Sequence, residues 1–116
     1  MAIPSGPGTE VLKRHTANIS NSTTTLTVPA NHIYTILSIN LMANSTNKSD
    51  TDIYINDGSA NIEITNGNGA SYIPGNSTFV YSDKIVMTAG DVMTIIERDA
   101  TAVSVWISYI DQDWSS

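Results

Sequence analysis

The chain predicts an all-β protein: an antiparallel β-sandwich of jelly-roll type, preceded by an extended N-terminal arm. Three observations carry this. Thr and Ser occur fourteen times each and Asn eleven times, while charged residues make up only 14%. Such side chains compete with helix hydrogen bonds and favour strands and turns. Apolar residues recur at period two, the spacing of one strand face, in Ile33-x-x-x-Leu37-x-Ile39-x-Leu41 and again in Val103-x-Val105-x-Ile107. Finally, Pro29 can neither donate to a sheet ladder nor change its φ, so it gates the long strand that follows it.

The elements follow in order. Residues 1–9 hold two prolines and two glycines and read as the arm. The sandwich domain occupies 10–110, with strands at 10–16, 23–28, 33–43, 51–56, 61–65, 77–81, 84–87, 91–98 and 102–110. Asp57-Gly58 supplies turn chemistry between the fourth and fifth strands, in a loop of two residues or more. Asn66-Gly67-Asn68-Gly69 marks another loop, and Ala89-Gly90-Asp91 turns the seventh strand into the eighth. Residues 111–116 read as a short polar tail. Strands this short and this evenly spaced belong to sandwiches and barrels.

Alternation predicts a core of Leu26, Val28, Ile33, Leu37, Ile39, Leu41, Ile53, Ile55, Ile62, Ile64, Val86, Val92, Ile96, Val103, Val105 and Ile107. Each large aliphatic contributes about 1.5–3 kcal/mol when fully buried. Tyr34 and Tyr109 are expected at the core's edge with their hydroxyls in water. If Val105 points inward, Trp106 points outward and can meet a neighbouring subunit, where Trp is enriched; the reverse phase, or a covering loop, buries it instead. Trp114 follows in the tail.

Several functions are disfavoured. A net charge of −6 with five basic residues leaves no footprint for a nucleic-acid backbone, and Lys13-Arg14-His15 reads as a solvated strand edge. Without cysteine there is neither a disulfide nor a thiolate site. No secretion signal is visible, and no apolar run nears the ~20 residues a membrane span needs, so a soluble protein is expected. His15 and His32 are the only histidines and no Gly-x-Ser-x-Gly elbow accompanies them, so no catalytic residue is assigned. Asp50, Asp52 and Asp57, and again Asp111 and Asp113, prompt a check for calcium. Tyr54 breaks the EF-hand spacing, and these acids read as solvated loop residues, with no metal or cofactor expected. Five Asn-x-Ser/Thr sequons, starting at Asn18, Asn21, Asn44, Asn47 and Asn76, read as strand-and-turn composition.

Three segments together resemble a family. They are Gly8-Thr9-Glu10-Val11-Leu12-Lys13-Arg14, Val28-Pro29-Ala30-Asn31-His32-Ile33-Tyr34-Thr35-Ile36-Leu37-Ser38 and Lys84-Ile85-Val86-Met87-Thr88-Ala89-Gly90-Asp91. In this order they resemble small β-sandwich virion proteins of tailed bacteriophages. The resemblance implies a structural, non-enzymatic role, with head decoration (cement) as its first form. It also implies a location on the virion surface after synthesis in a host cytoplasm. The implied partners are the major capsid protein and further copies of the chain, as a homotrimer. Ile3, Pro4 and Pro7 of the arm, with Trp106 and Trp114, form the candidate interface. The alternative is a small tail or fibre component whose aromatic residues (Trp106, Trp114, Tyr54, Tyr72 and Tyr81) stack on receptor glycans.

Overall fold

The computed structural model describes residues 9–65 and 72–114. Within them the chain forms β1 (Thr9–Ile19), β2 (Ser22–Thr27), β3 (His32–Ala43), β4 (Thr51–Asn56), β5 (Asn61–Thr65), β6 (Thr78–Tyr81), β7 (Ile85–Thr88), β8 (Val92–Glu97) and β9 (Val103–Asp113), and no helix. Ile3, Pro4 and Pro7 and the Asn66–Gly69 loop lie outside the described residues.

Two antiparallel sheets pack face to face. One has the order β1-β9-β3-β6, with β7 pairing a separate stretch of β3; the other has the order β2-β8-β4-β5. Consecutive strands therefore change sheets often. β1 passes to β2 through Ser20-Asn21, and Asn21 takes the left-handed φ of 48° that so sharp a crossing needs. Asn31 and Asn76 do the same at other corners. Part of the asparagine excess thus has a backbone cause, because Asn tolerates positive φ better than other side chains. The loop after β4 runs from Asp57 to Ala60. Asp57 Oδ1 accepts from the backbone N–H groups of Ser59 and Ala60, and Gly58 supplies a φ of 97°.

The core lies between the sheets and contains Leu26, Val28, Ile36, Ile39, Leu41, Ile53, Ile73, Met87, Met93, Ile95, Val103, Val105 and Ile107. Several expected members fall elsewhere. A bulge between Ile36 and Ser38 inserts Leu37 as an extra residue, so Ile36 turns inward and Leu37 is only half-buried. In β7 the buried residue is Met87, and Val86 faces outward. In β8 the buried series is Met93, Ile95 and Glu97, leaving Val92 and Ile96 half-buried. Ile62 on the edge strand β5 is exposed, while Ile55 and Ile64 only flank the core. Tyr34 and Tyr109 are buried rather than at the core's edge, with ring centroids 4.6 Å apart and a hydrogen bond between their side chains.

The strand boundaries extend two expectations. β1 begins at Thr9, inside the expected arm, and runs to Ile19. β9 continues through Asp111, Gln112 and Asp113, which the sequence placed in the tail. Asp111 is buried, because Lys13 Nζ donates to its Oδ2 at 2.7 Å and His32 Nδ1 lies 2.7 Å from its Oδ1. Asp52 is likewise buried rather than solvated, with Arg98 at 3.5 Å.

Candidate interaction surface

β9 is the central strand of this surface, flanked by β1 and β3 along its length. With Val103, Val105, Ile107 and Tyr109 committed to the core, the intervening residues Ser104, Trp106, Ser108 and Ile110 must face outward. Trp106 is therefore on the outside of the five-stranded sheet, 40% exposed. The register sets its neighbours. Thr16, Trp106, Asn40 and Val80 form one row across four strands, Arg14, Ser108 and Ser38 the next, and Leu12, Ile110, Thr35 and Val86 the third.

The Arg14 guanidinium lies 5.0 Å from the centre of the Trp106 ring. Such a contact orients both side chains, and leaves the guanidinium N–H groups turned to the surroundings. Trp106 stands between two open depressions. One, of about 700 Å³, is lined by Leu12, Lys13, Arg14, Leu37, Ser38 and Ser108. The other, of about 360 Å³, is lined by Thr16, Asn18, Met42 and Ser104, and in it Ser104 Oγ donates to Asn18 Oδ1 at 2.8 Å. Leu12 (71%), Val86 (63%) and Val80 (54%) are exposed on the same side. Large apolar side chains left in water across one sheet face mark an interaction surface.

The outside of the four-stranded sheet is built differently. Its rows read Thr23, Ile96 and Asp52, then Thr25, Thr94 and Tyr54, with Glu63 opposite Tyr54. Glu63 hydrogen-bonds Asp52. Glu63 is exposed, yet local desolvation, then the Asp52 charge and that bond, hold its carboxyl above the ordinary carboxylate range. Arg98 bridges Asp50 and Asp52 at 3.6 and 3.5 Å. The exposed members of these rows are Thr23, Thr25 and Glu63, while Ile96 and Tyr54 are half-buried and Asp52 is buried.

The expected aromatic residues are not gathered into one site. Trp114 is half-buried, about 27 Å along β9 from Trp106 at the usual rise per residue. Its backbone N–H donates to the Asn31 carbonyl, which ties the end of the chain to the start of β3. Tyr54 lies on the opposite sheet, Tyr81 pairs Ile39 on the inner side, and Tyr72 carries the Lys48 ammonium 4.2 Å over its ring. Arg14 and Leu12, which sequence reasoning left out of the interface, belong to it through the β1–β9 register. Among the described residues, no three His, Cys, Asp or Glu side chains are arranged to hold a metal, and no helix is long and apolar enough to cross a membrane.

No protein-family model matches the chain, and no curated protein matches it. Among solved structures, it is similar to a chain from work describing Bacillus endospore appendages as a novel family of disulfide-linked pili. The match has 15% identity and a TM-score of 0.49, and covers 99% of this chain and 97% of that one. This chain has no cysteine.

Proposed function

We propose that this is a structural, non-enzymatic protein of a bacteriophage virion that decorates the outside of the head and binds there to the major capsid protein and to copies of itself. The observation that carries the docking part is the contrast between the sandwich's two outer faces. One exposes Leu12, Trp106, Val80 and Val86, and the rows of the other expose Thr23, Thr25 and Glu63, with Ile96 and Tyr54 half-buried. A protein that docks on a lattice needs one face to bury and one to leave in water. The virion setting rests on the resemblance of the three segments quoted above. In this reading Trp106 is the anchor of the interface, a residue type enriched at energetic centres of interfaces, and the exposed aliphatics around it exclude water.

Cryo-electron microscopy of purified particles tests the location: density for this sandwich is expected on the head exterior, and density confined to tail fibres would overturn the decoration reading. Trp106→Ala is expected to weaken particle binding roughly thirtyfold or more while leaving the fold intact, since anchors of this kind cost about 2 kcal/mol or more when truncated. The assembly state on the particle is read from the same maps.

A second reading has its own observation. Trp106 is bracketed by the hydroxyls and amides of Ser38, Ser108, Asn40 and Thr16, groups able to hydrogen-bond a sugar stacked beside an indole. Under it the protein is a tail or fibre component that binds a receptor glycan, and selective signal on a glycan array lost in Trp106→Ala would favour it.

A further inference from the structure

We propose that β1 is a self-pairing edge, through which two copies of the chain join antiparallel about a two-fold axis at Leu12. β1 runs for eleven residues, Thr9–Ile19, and all of them are in register with β9. Among the described residues no strand lies on its other side. Proteins blunt such edges by shortness, proline, bulges or charges set in the edge. β1 is long, has no proline and shows no register shift against β9. Lys13 is drawn back onto its own sheet, to Asp111 at 2.7 Å, and Arg14, held over Trp106, keeps its guanidinium N–H groups turned outward to meet an acid. What the edge offers instead is Val11 and Leu12, at 51% and 71% exposure.

Charge complementarity selects the second copy and its register. With the axis at Leu12, that residue meets its own copy, Glu10 faces Arg14 of the other chain twice by symmetry, and Val11 faces Lys13. Glu10, Leu12 and Arg14 all lie on the outer side of the sheet, opposite Gln112, Ile110 and Ser108 of β9. Gln112 Nε2 donates to Glu10 Oε1 at 2.9 Å, which holds that carboxylate on the outer side. Centring on Val11 forms no ion pair, whereas centring on Lys13 or Arg14 sets like charges against each other, a destabilising arrangement across strands. A two-fold axis normal to the sheet also keeps both Trp106 faces on the same side, so the paired sheets present one continuous apolar surface. The pairing is read from β1 alone and does not depend on the virion role.

Sedimentation velocity over a concentration series tests it, with circular dichroism and thermal melts confirming that each variant folds. The wild-type chain is expected to dimerise, and Leu12→Glu to be monomeric. Glu10→Lys and Arg14→Glu should each raise the dimer dissociation constant roughly tenfold, because both symmetric pairs turn repulsive. The double variant E10K/R14E restores attraction and should return the constant to within about threefold of wild type. A monomeric or trimeric wild-type chain, single reversals without effect, or a double variant as weak as the singles would each overturn the pairing. So would a monomer whose Leu12→Glu variant fails only in particle binding, since the edge would then serve a different chain.

Discussion

Glu97 and Asp111 are carboxylates buried to similar depth, 1% and 3% exposed, at opposite ends of the sandwich, and they are satisfied by opposite means. Glu97 is held by neutral donors. The backbone N–H groups of Asn21, Asp99 and Thr101 and the Ser49 hydroxyl donate to it at 2.6–3.1 Å, drawing three loops onto one side chain. Asp111 is held by ionisable partners, Lys13 and His32, which come from β1 and β3. Burial alone would push the Asp111 carboxyl up, but the hydrogen bonds and charges of Lys13 and His32 outweigh it and hold it below its ordinary value. The Glu97 end is thus closed by backbone geometry and the Asp111 end by charge. The first fails when its acceptor is removed, and the second when its carboxylate is protonated or its cation is lost.

Removing the acceptor at the first end has the largest expected effect. Glu97→Ala strands the buried Thr101 N–H and the partly buried N–H groups of Asn21 and Asp99, and leaves the Ser49 hydroxyl only Thr51, while each buried donor left unpaired costs about 1–3 kcal/mol. A loss of about 3–5 kcal/mol in urea unfolding is expected. Asp111→Asn keeps an acceptor for His32, and frees Lys13, whose side chain is 45% exposed, to solvent. It should cost less, about 1.5–3 kcal/mol, the range of hydrogen bonds to charged groups. Equal losses in the two variants would erase the distinction between the ends.

The pH dependence sharpens the contrast. Because Asp111's folded value is depressed, its stabilisation is present above the ordinary carboxylate value of 3.8 and is lost as pH falls through the folded value below that. On the alkaline side, burial first, then the neighbouring Tyr109 and Asp111, pushes the Tyr34 hydroxyl up to about 12 from 10.0. A raised value acts in the opposite direction. The stabilisation is intact below pH 10 and is lost as pH rises toward 12, roughly 2–3 kcal/mol for a shift of that size. Lys13, raised chiefly by its bond to Asp111, adds a loss above its ordinary 10.5. Urea midpoints should fall at both extremes, and Asp111→Asn should flatten the acid limb. Tyr34→Phe should flatten the alkaline one. Unchanged limbs would mean that these groups titrate alike in the folded and unfolded chains.

The strands were legible in the sequence for the same local reasons that build them. Residues 51–56 and 61–65 are strands as read, because alternation and the Asp57-Gly58 turn are short-range signals. What escaped was phase and distance. In β8 each alternating set carries two large apolar residues and one polar one, Val92, Thr94 and Ile96 against Met93, Ile95 and Glu97, so alternation alone does not choose the inward face, and the charge of Glu97 points to the wrong one. The donors that make Glu97 tolerable are backbone groups of remote loops, and backbone carries no sequence signature. Asp111 looked like a tail residue because its partners stand 98 and 79 positions away. Of the candidate surface, the outward Trp106 followed from an inward Val105. Arg14 and Leu12 became its neighbours only through the β1–β9 register.

The smallest expected effect probes what Glu97 holds in place. Ala100 has a φ of 55°, in the turn that aims the Asp99 and Thr101 N–H groups at the Glu97 carboxylate. A side chain with a Cβ is strained there by roughly 1 kcal/mol, and glycine is not. Ala100→Gly should therefore stabilise the protein, by about 0.5 kcal/mol once glycine's greater freedom in the unfolded chain is set against the relief. The informative measurement is the double-mutant cycle. If the carboxylate bonds impose the left-handed turn, their loss lets the loop relax, and Ala100→Gly should gain nothing in the Glu97→Ala background. The same gain in both backgrounds would mean that the turn keeps its shape without Glu97, and that the strain at this end of the sandwich belongs to the loop's length rather than to the carboxylate it encircles.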